Sequence, residues 1–152
     1  NTIIAGVKKD GTVMIASTLK DINFESVANW QDIVQVSVSH KHILGLKSDG
    51  SVVAAGSNSD GQCDVSDWSN IKKVSAKYNH SVGLKNDGTV VFTGYNDYGQ
   101  GDISDWVDIV DIETGWDFTL GLKSDGTLIA VGNNEYGKCD VRSISDVKVI
   151  NK

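Results

Sequence analysis

The sequence contains no proline, so no turn can be set by its fixed φ, and every change of direction falls to Gly, Asn and Asp. No run approaches the roughly 18 consecutive apolar residues of a membrane helix, which excludes insertion by helices. Helical periodicity is missing from every window of about 11 to 18 residues, so the fold is expected to be all-β. Positive charge is scarce, with 14 Lys and Arg against 20 Asp and Glu. The net charge of −6 argues against nucleic acid as a partner, because phosphate-backbone binding needs clustered Lys and Arg. Cationic surfaces are the better electrostatic match. The chain opens on Asn1 with neither an initiator methionine nor a signal peptide, and so is expected to be a processed product or a piece of something longer.

What is present is a repeat. Gly6-Val7-Lys8-Lys9-Asp10-Gly11-Thr12-Val13 recurs as Gly45-Leu46-Lys47-Ser48-Asp49-Gly50-Ser51-Val52, with a step of 39 residues. Two further steps of 38 residues give Gly83-Leu84-Lys85-Asn86-Asp87-Gly88-Thr89-Val90 and Gly121-Leu122-Lys123-Ser124-Asp125-Gly126-Thr127-Leu128. A second marker keeps the same step: Trp30, Trp68 and Trp106 are followed by Asp32-Ile33, Asn70-Ile71 and Asp108-Ile109. Asp146-Val147 closes that series, with Ile144 in the tryptophan position. Two independent markers with one period define four units within a single repeat domain over residues 1–152, centred on hairpins 6–13, 45–52, 83–90 and 121–128.

Within a unit, Ile71–Ala76, Ser81–Lys85 and Thr89–Gly94 are rich in β-branched or apolar residues and read as strands. Asn86-Asp87-Gly88 is a hairpin turn, with Gly88 supplying the positive φ. A polar loop follows at Gly94–Gln100, matched by Gly56–Gln62 and Gly132–Lys138, and Gly101–Ile103 reads as a fourth short strand. Four strands per unit is the content of a β-propeller blade. A parallel β-solenoid, the competing repeat fold, has shorter coils and lacks a hairpin in each turn. The chain opens on the blade's second strand (Thr2–Val7) and closes on a first strand (Ile144–Ile150), an offset that lets a ring be completed within one chain or by a homodimer. Cys63 and Cys139 share one repeat site 76 residues apart. Equivalent sites two blades apart do not meet the roughly 4.4–6.8 Å Cα separation of a disulfide, so both read as small buried residues, and two thiols alone make a poor metal site.

The run His80-Ser81-Val82-Gly83-Leu84-Lys85-Asn86-Asp87-Gly88-Thr89-Val90, followed by Gly94-x-Asn96-x-x-Gly99-Gln100, resembles the regulator-of-chromosome-condensation repeat. The short unit is similar to the compact bacterial members of that family, among them inhibitors of β-lactamases. This resemblance implies a propeller, a protein partner met through loops on one face, and an extracellular or cell-surface location in a bacterium. Ser17–Trp30 departs from the pattern: it lacks the Asn-x-x-Gly-Gln loop and carries one extra residue.

His40 and His42 share a strand face and invite a metal, but His42 aligns with His80 and Phe118, so packing explains it and no third ligand converges. Asn58-Ser59-Asp60-Gly61 and Asn96-Asp97-Tyr98-Gly99 resemble calcium loops but lack the later acidic ligand, and Asp60 becomes Tyr98 and Tyr136. Trp30, Trp68 and Trp106 recur in phase and read as packing residues. No Ser lies in a nucleophile elbow and neither Cys has a His neighbour, so no catalytic residue and no cofactor is expected. One position differs in kind: His40, Tyr78 and Trp116 are all ring-bearing yet change from unit to unit, and their neighbours Lys41, Asn79 and Asp117 change in charge. A row of varied aromatics reads as a partner-binding rim, since Tyr and Trp dominate interface hot spots. The expected function is a non-enzymatic protein-binding propeller module. The alternatives are a structural repeat within a larger bacterial surface or secreted protein, or a carbohydrate-binding rim.

Overall fold

The computed structural model describes residues 2–149, and these form four antiparallel sheets, each one a blade. The first blade pairs β1 (Ile3–Val7) with β2 (Val13–Ser17). The second orders β3 (Ile33–Val38), β4 (His42–Lys47) and β5 (Val52–Gly56). The third repeats this with β6 (Ile71–Lys77), β7 (His80–Lys85) and β8 (Val90–Gly94), and the fourth with β9 (Ile109–Thr114), β10 (Phe118–Lys123) and β11 (Leu128–Gly132). The inner strands β3, β6 and β9 lie side by side, and β1 flanks β3.

Each Asp-Gly hairpin closes in one way. In the second blade the Gly50 N–H donates to the Lys47 carbonyl at 3.0 Å and the Lys47 N–H to the Ser51 carbonyl at 2.9 Å, with Gly50 at φ 82°. Asp49 Oδ1 accepts both the Ser51 hydroxyl at 2.6 Å and its N–H at 2.9 Å, and these bonds hold the carboxyl below the usual range. The same geometry recurs at Asp10, Asp87 and Asp125.

The hairpin tip is also the hinge to the next blade. Ile33, Ile71, Ile109 and Val147 donate their N–H groups to the carbonyls of Gly11, Gly50, Gly88 and Gly126 at 2.9–3.1 Å. The preceding Asp32, Asn70, Asp108 and Asp146 take φ values of 58–60°, a left-handed conformation that Asn and Asp tolerate better than other side chains. The two sequence markers are therefore two halves of one joint.

Tryptophan fills the space between blades. Trp30, Trp68 and Trp106 are 7%, 8% and 3% exposed. Trp68 packs with Leu44, Leu46 and Val52 of the second blade and with Ile71, Val74 and Ala76 of the third. Its ring presses on Gly83, where a Cβ would sit 2.8 Å from the indole; Gly45 and Gly121 stand equally close to Trp30 and Trp106. Polar side chains tie the inner strands: Gln35 exchanges two 3.0 Å bonds with the Val74 backbone, Ser37 Oγ accepts the Ala76 N–H at 2.9 Å, and Ser75 Oγ meets Thr114 Oγ1 at 2.8 Å. Lys73 pairs with Asp111.

Three expectations are corrected. Gly101–Ile103 is not a strand: the Asp102 N–H donates to Gly99 and the Ile103 N–H to Gly101, so the segment turns tightly and delivers Trp106 to its blade. Residues 144–149 form no strand either, although the Val147 bond starts the joint of a further blade; Ile150 lies outside the described residues. Cys63 and Cys139 are free and half-buried rather than buried, because their loop faces outward and the Cys63 thiol bonds to the Ser57 carbonyl at 3.3 Å. In the divergent first unit a single 3₁₀ turn, Glu25–Asn29, buries Val27 completely. The Phe24 ring there comes within 2.9 Å of a Cβ placed on Gly56; Gln62 holds the matching place against Gly94.

Trp68→Ala is expected to lower stability by about 3–5 kcal/mol, as a buried aromatic does. Gly83→Ala, which drives a methyl into the same ring, is expected to cost about 1–3 kcal/mol. Urea melts of the two variants measure both.

Candidate partner-binding rim

The connections between inner and middle strands lie at one end of every blade, with the polar loops beside them. The pairing of β4 with β5 brings His42 opposite Gly56, and the Ser57 N–H donates to the Lys41 carbonyl at 2.9 Å. Tyr95 and Asn133 make the same bond to the carbonyls of Asn79 and Asp117. Connection and loop are thus one rigid unit in each blade.

The loops are braced from inside. Asn58 Oδ1 accepts the Cys63 N–H at 2.7 Å and its Nδ2 donates to Asp64 at 2.8 Å; Asn96 and Asn134 repeat both bonds. Gln62 and Gln100 are fully buried and accept the N–H of Asp60 and Tyr98 at 2.9 and 3.1 Å. Their carbonyls accept the Ser81 and Thr119 hydroxyls at 2.7 Å. This is the asparagine-turn chemistry that the calcium-like spacing imitates.

Against this frame the six expected rim residues divide. His40 and Lys41 are exposed, Tyr78 is 38% exposed and Trp116 64%. The Tyr78 and Trp116 rings stack, with centroids 5.6 Å apart and planes 23° from parallel. Ser39 Oγ donates to the Tyr78 carbonyl at 2.8 Å, tying the second connection to the third. Tyr78 has φ 51°, a strained setting for an aromatic residue, of order 1–2 kcal/mol. Asn79 and Asp117 are half-buried and occupied: Asn79 donates to Asp60 at 2.9 Å, and Asp117 accepts from Asn133 at 2.8 Å and pairs with Lys138 at 2.9 Å. They brace the face rather than project from it.

The row is bent into a cup. His40, Tyr78 and Trp116 line a single hollow of about 300 Å³ with Thr2, Ile3, Val38, Ser39 and Lys77, so all four blades contribute to its wall. Sequence reasoning missed a second group on this face: Tyr95, Tyr98 at 52% exposure and Tyr136 at 91%. Tyr95 and Tyr98 meet edge to face at 6.0 Å, and Tyr136 is held at φ 66°. Their signal was present in the change from Asp60 to Tyr98 to Tyr136 at one loop position, the same variation in phase that exposed the row at His40.

The family model of the regulator of chromosome condensation (RCC1) repeat matches residues 33–62, 71–100 and 109–138, more than half of the chain. The chain belongs to this family. The three matched stretches are the second, third and fourth blades, each with its loop; the divergent first unit falls outside them. No curated protein matches the sequence. Among solved structures, human WBSCR16 is similar at TM-score 0.61 and 24% identity, over 68% of this chain and 34% of that one. Prp20p of Saccharomyces cerevisiae is similar at 0.57 and 24%, over 79% and 33%. The ectodomain of the Arabidopsis thaliana receptor kinase ACR4 is similar at 0.63 and 18%, over 87% and 51%. The chain spans from about a third to about half the length of these propellers.

Below the cup, His42 and His80 are fully buried between blades, and His42 Nε2 meets Ser81 Oγ at 2.9 Å. No metal-binding cluster joins them among the described residues. Burial pushes both imidazoles down to about 4, with His80 adding to the effect at His42. The fold holds them neutral, while the unfolded chain takes up protons below pH about 6.5. The histidine contribution to stability is therefore expected to be level above pH 6.5 and to be lost as the pH drops from about 6.5 to about 4, below which protonation of the hairpin aspartates, held below their usual range, continues the loss. Urea midpoints across this range check it, and His80→Leu should flatten the slope.

Proposed function

We propose that the chain is a non-enzymatic binding module whose cupped aromatic rim engages a protein partner. The observation that carries this reading is the convergence of His40, Tyr78 and Trp116, one from each of three blades, on one hollow walled by all four. Rings that vary in phase for packing, such as His42 and His80, are buried, and Trp68 and Trp106 keep one chemistry, whereas this position varies while staying ring-bearing and exposed. Tyr and Trp at the centre of a patch, on loops that pay little ordering entropy, are the usual material of interface hot spots. The related propeller Prp20p, studied for its binding to Gsp1p and histones, gives a precedent for a protein partner. Secretion or surface display in a bacterium, with a β-lactamase as the first partner to try, is the finer form of the proposal.

Assembly is part of it. Among the described residues β1 pairs with β2 alone, and Ile4 and Met14 on this blade are 67% and 63% exposed. A free strand edge beside apolar side chains invites pairing with another chain. A ring closed by two chains should appear as a dimer in light scattering at micromolar concentration; a compact monomer rejects it.

The rim itself is tested by contrast. Tyr78→Ala and Trp116→Ala should melt like the parent, yet each should weaken a captured partner by at least about 2 kcal/mol. Lys9→Ala, on a hairpin at the other end of the blades, should do neither. If Trp116→Ala unfolds the protein, or the captured partner ignores both rim variants, the rim is structural and the repeat-segment reading takes its place.

A further inference from the structure

The electrostatics of the cup run against those of the chain. The net charge is −6, yet no carboxylate lines the hollow, and the residues of its wall that can carry positive charge are Lys77 and His40. Two acids of the same face are engaged elsewhere, Asp117 by Lys138 and Asn133 and Asp60 by Asn79, while Asp97 and Glu135 stand on the polar loops and do not line the hollow. Lower on the inner strands Asp111 is taken by Lys73, and Glu113 accepts from Ser75 Oγ at 3.3 Å. Lys77 is exposed and belongs to neither ion pair of the described residues, Lys73–Asp111 or Lys138–Asp117. Of the neutral polar groups of the wall, Ser39 Oγ donates to the Tyr78 carbonyl, and the Thr2 backbone exchanges bonds with Thr18. The hollow thus combines aromatic walls with the positive charge of Lys77, which joins no ion pair among the described residues.

Resting on the rim reading, we infer that the hollow receives an acidic side chain, Asp or Glu, from a loop of the partner protein. Lys77 and His40 meet the carboxylate, and the stacked pair of Tyr78 and Trp116 packs along one side of its aliphatic stem. A cationic side chain, the match that bulk charge favours, would enter beside Lys77 with no carboxylate to meet it. A nucleic acid fits worse, because one lysine and one histidine cannot neutralise a run of phosphates. A recess of about 300 Å³ suits a single inserted side chain.

Trp116 is a built-in reporter, since it is 64% exposed while Trp30, Trp68 and Trp106 are nearly buried. Collisional quenching of its fluorescence, with Trp116→Phe as background, compares iodide with caesium, each taken relative to its quenching of free N-acetyltryptophanamide. Local positive potential concentrates the anion, so iodide is expected to be the better quencher by about twofold despite the net negative charge. Lys77→Gln should abolish the difference and Lys77→Glu should reverse it. In a second arm, hexaglutamate should shift the Trp116 emission, and the shift should vanish at high salt and in Lys77→Glu. Hexalysine should leave the emission unchanged. Caesium quenching equal to or better than iodide, or a stronger response to hexalysine than to hexaglutamate, overturns the inference. A stronger response to an oligothymidylate of equal charge replaces carboxylate with phosphate and overturns it too. These measurements need no partner, so they stand apart from the rim test. Partner capture that ignores Tyr78→Ala and Trp116→Ala sinks the rim reading even where iodide wins, whereas failure of the quenching arms leaves that reading standing and removes only the acidic side chain.

Discussion

An indole pressed against a bare backbone holds each of the last three blades to the one before it. Trp30, Trp68 and Trp106 press on Gly45, Gly83 and Gly121, whose missing Cβ atoms leave the room that the rings occupy. The contact does more than fill space. It brings Asn70-Ile71 to the hairpin at Gly50, and that bond sets the angle at which the third blade leaves the second. Gln35, Ser37 and Ser75 then fall opposite the backbone or hydroxyl groups they need on the neighbouring inner strand. The connections that end those strands inherit the spacing, and the cup exists because they converge. Gly6 shows the same rule by default: nothing approaches within 4 Å of the place its Cβ would take, and no tryptophan precedes it.

Most of this scaffold was legible because a repeat shows its constraints several times over. The hairpins at Asp49-Gly50 and its equivalents and the buried tryptophans could be read from residue type and phase. The joint was visible only as a marker, since nothing in Asn70-Ile71 says that its N–H reaches the carbonyl of Gly50. Gly101–Ile103 misled because its short, partly apolar run looks extended, while the brace from Asn96 forces a turn. At the rim, in-phase variation separated Tyr78 and Trp116 from the packing rings, but the same logic was not carried to Asp60, Tyr98 and Tyr136. Nor could sequence tell that Asn79 and Asp117 spend their polar atoms on neighbouring loops, because those partners lie 16 to 21 residues away in another turn.

Net charge is a poor guide to the local charge of the cup. It counts Asp10, Asp49, Asp87 and Asp125, whose carboxylates are committed to hairpin turns remote from the cup, and it counts acids that are locked in pairs. Screening over about 10 Å at ordinary salt leaves a partner sensing mostly the groups at hand. Those are Lys77, His40 and the rings around them.

The braced loops separate two kinds of position that usually trade against each other. Asn58, Asn96 and Asn134 hold shape, while the site two residues on carries Asp60, which braces Asn79, or Tyr98, or Tyr136 with a left-handed φ of 66°. The asparagine brace keeps its bond whichever of these side chains stands there. The face is therefore a line of fixed braces on which the letters differ, and a lineage that duplicates the unit gains a new letter with every duplication.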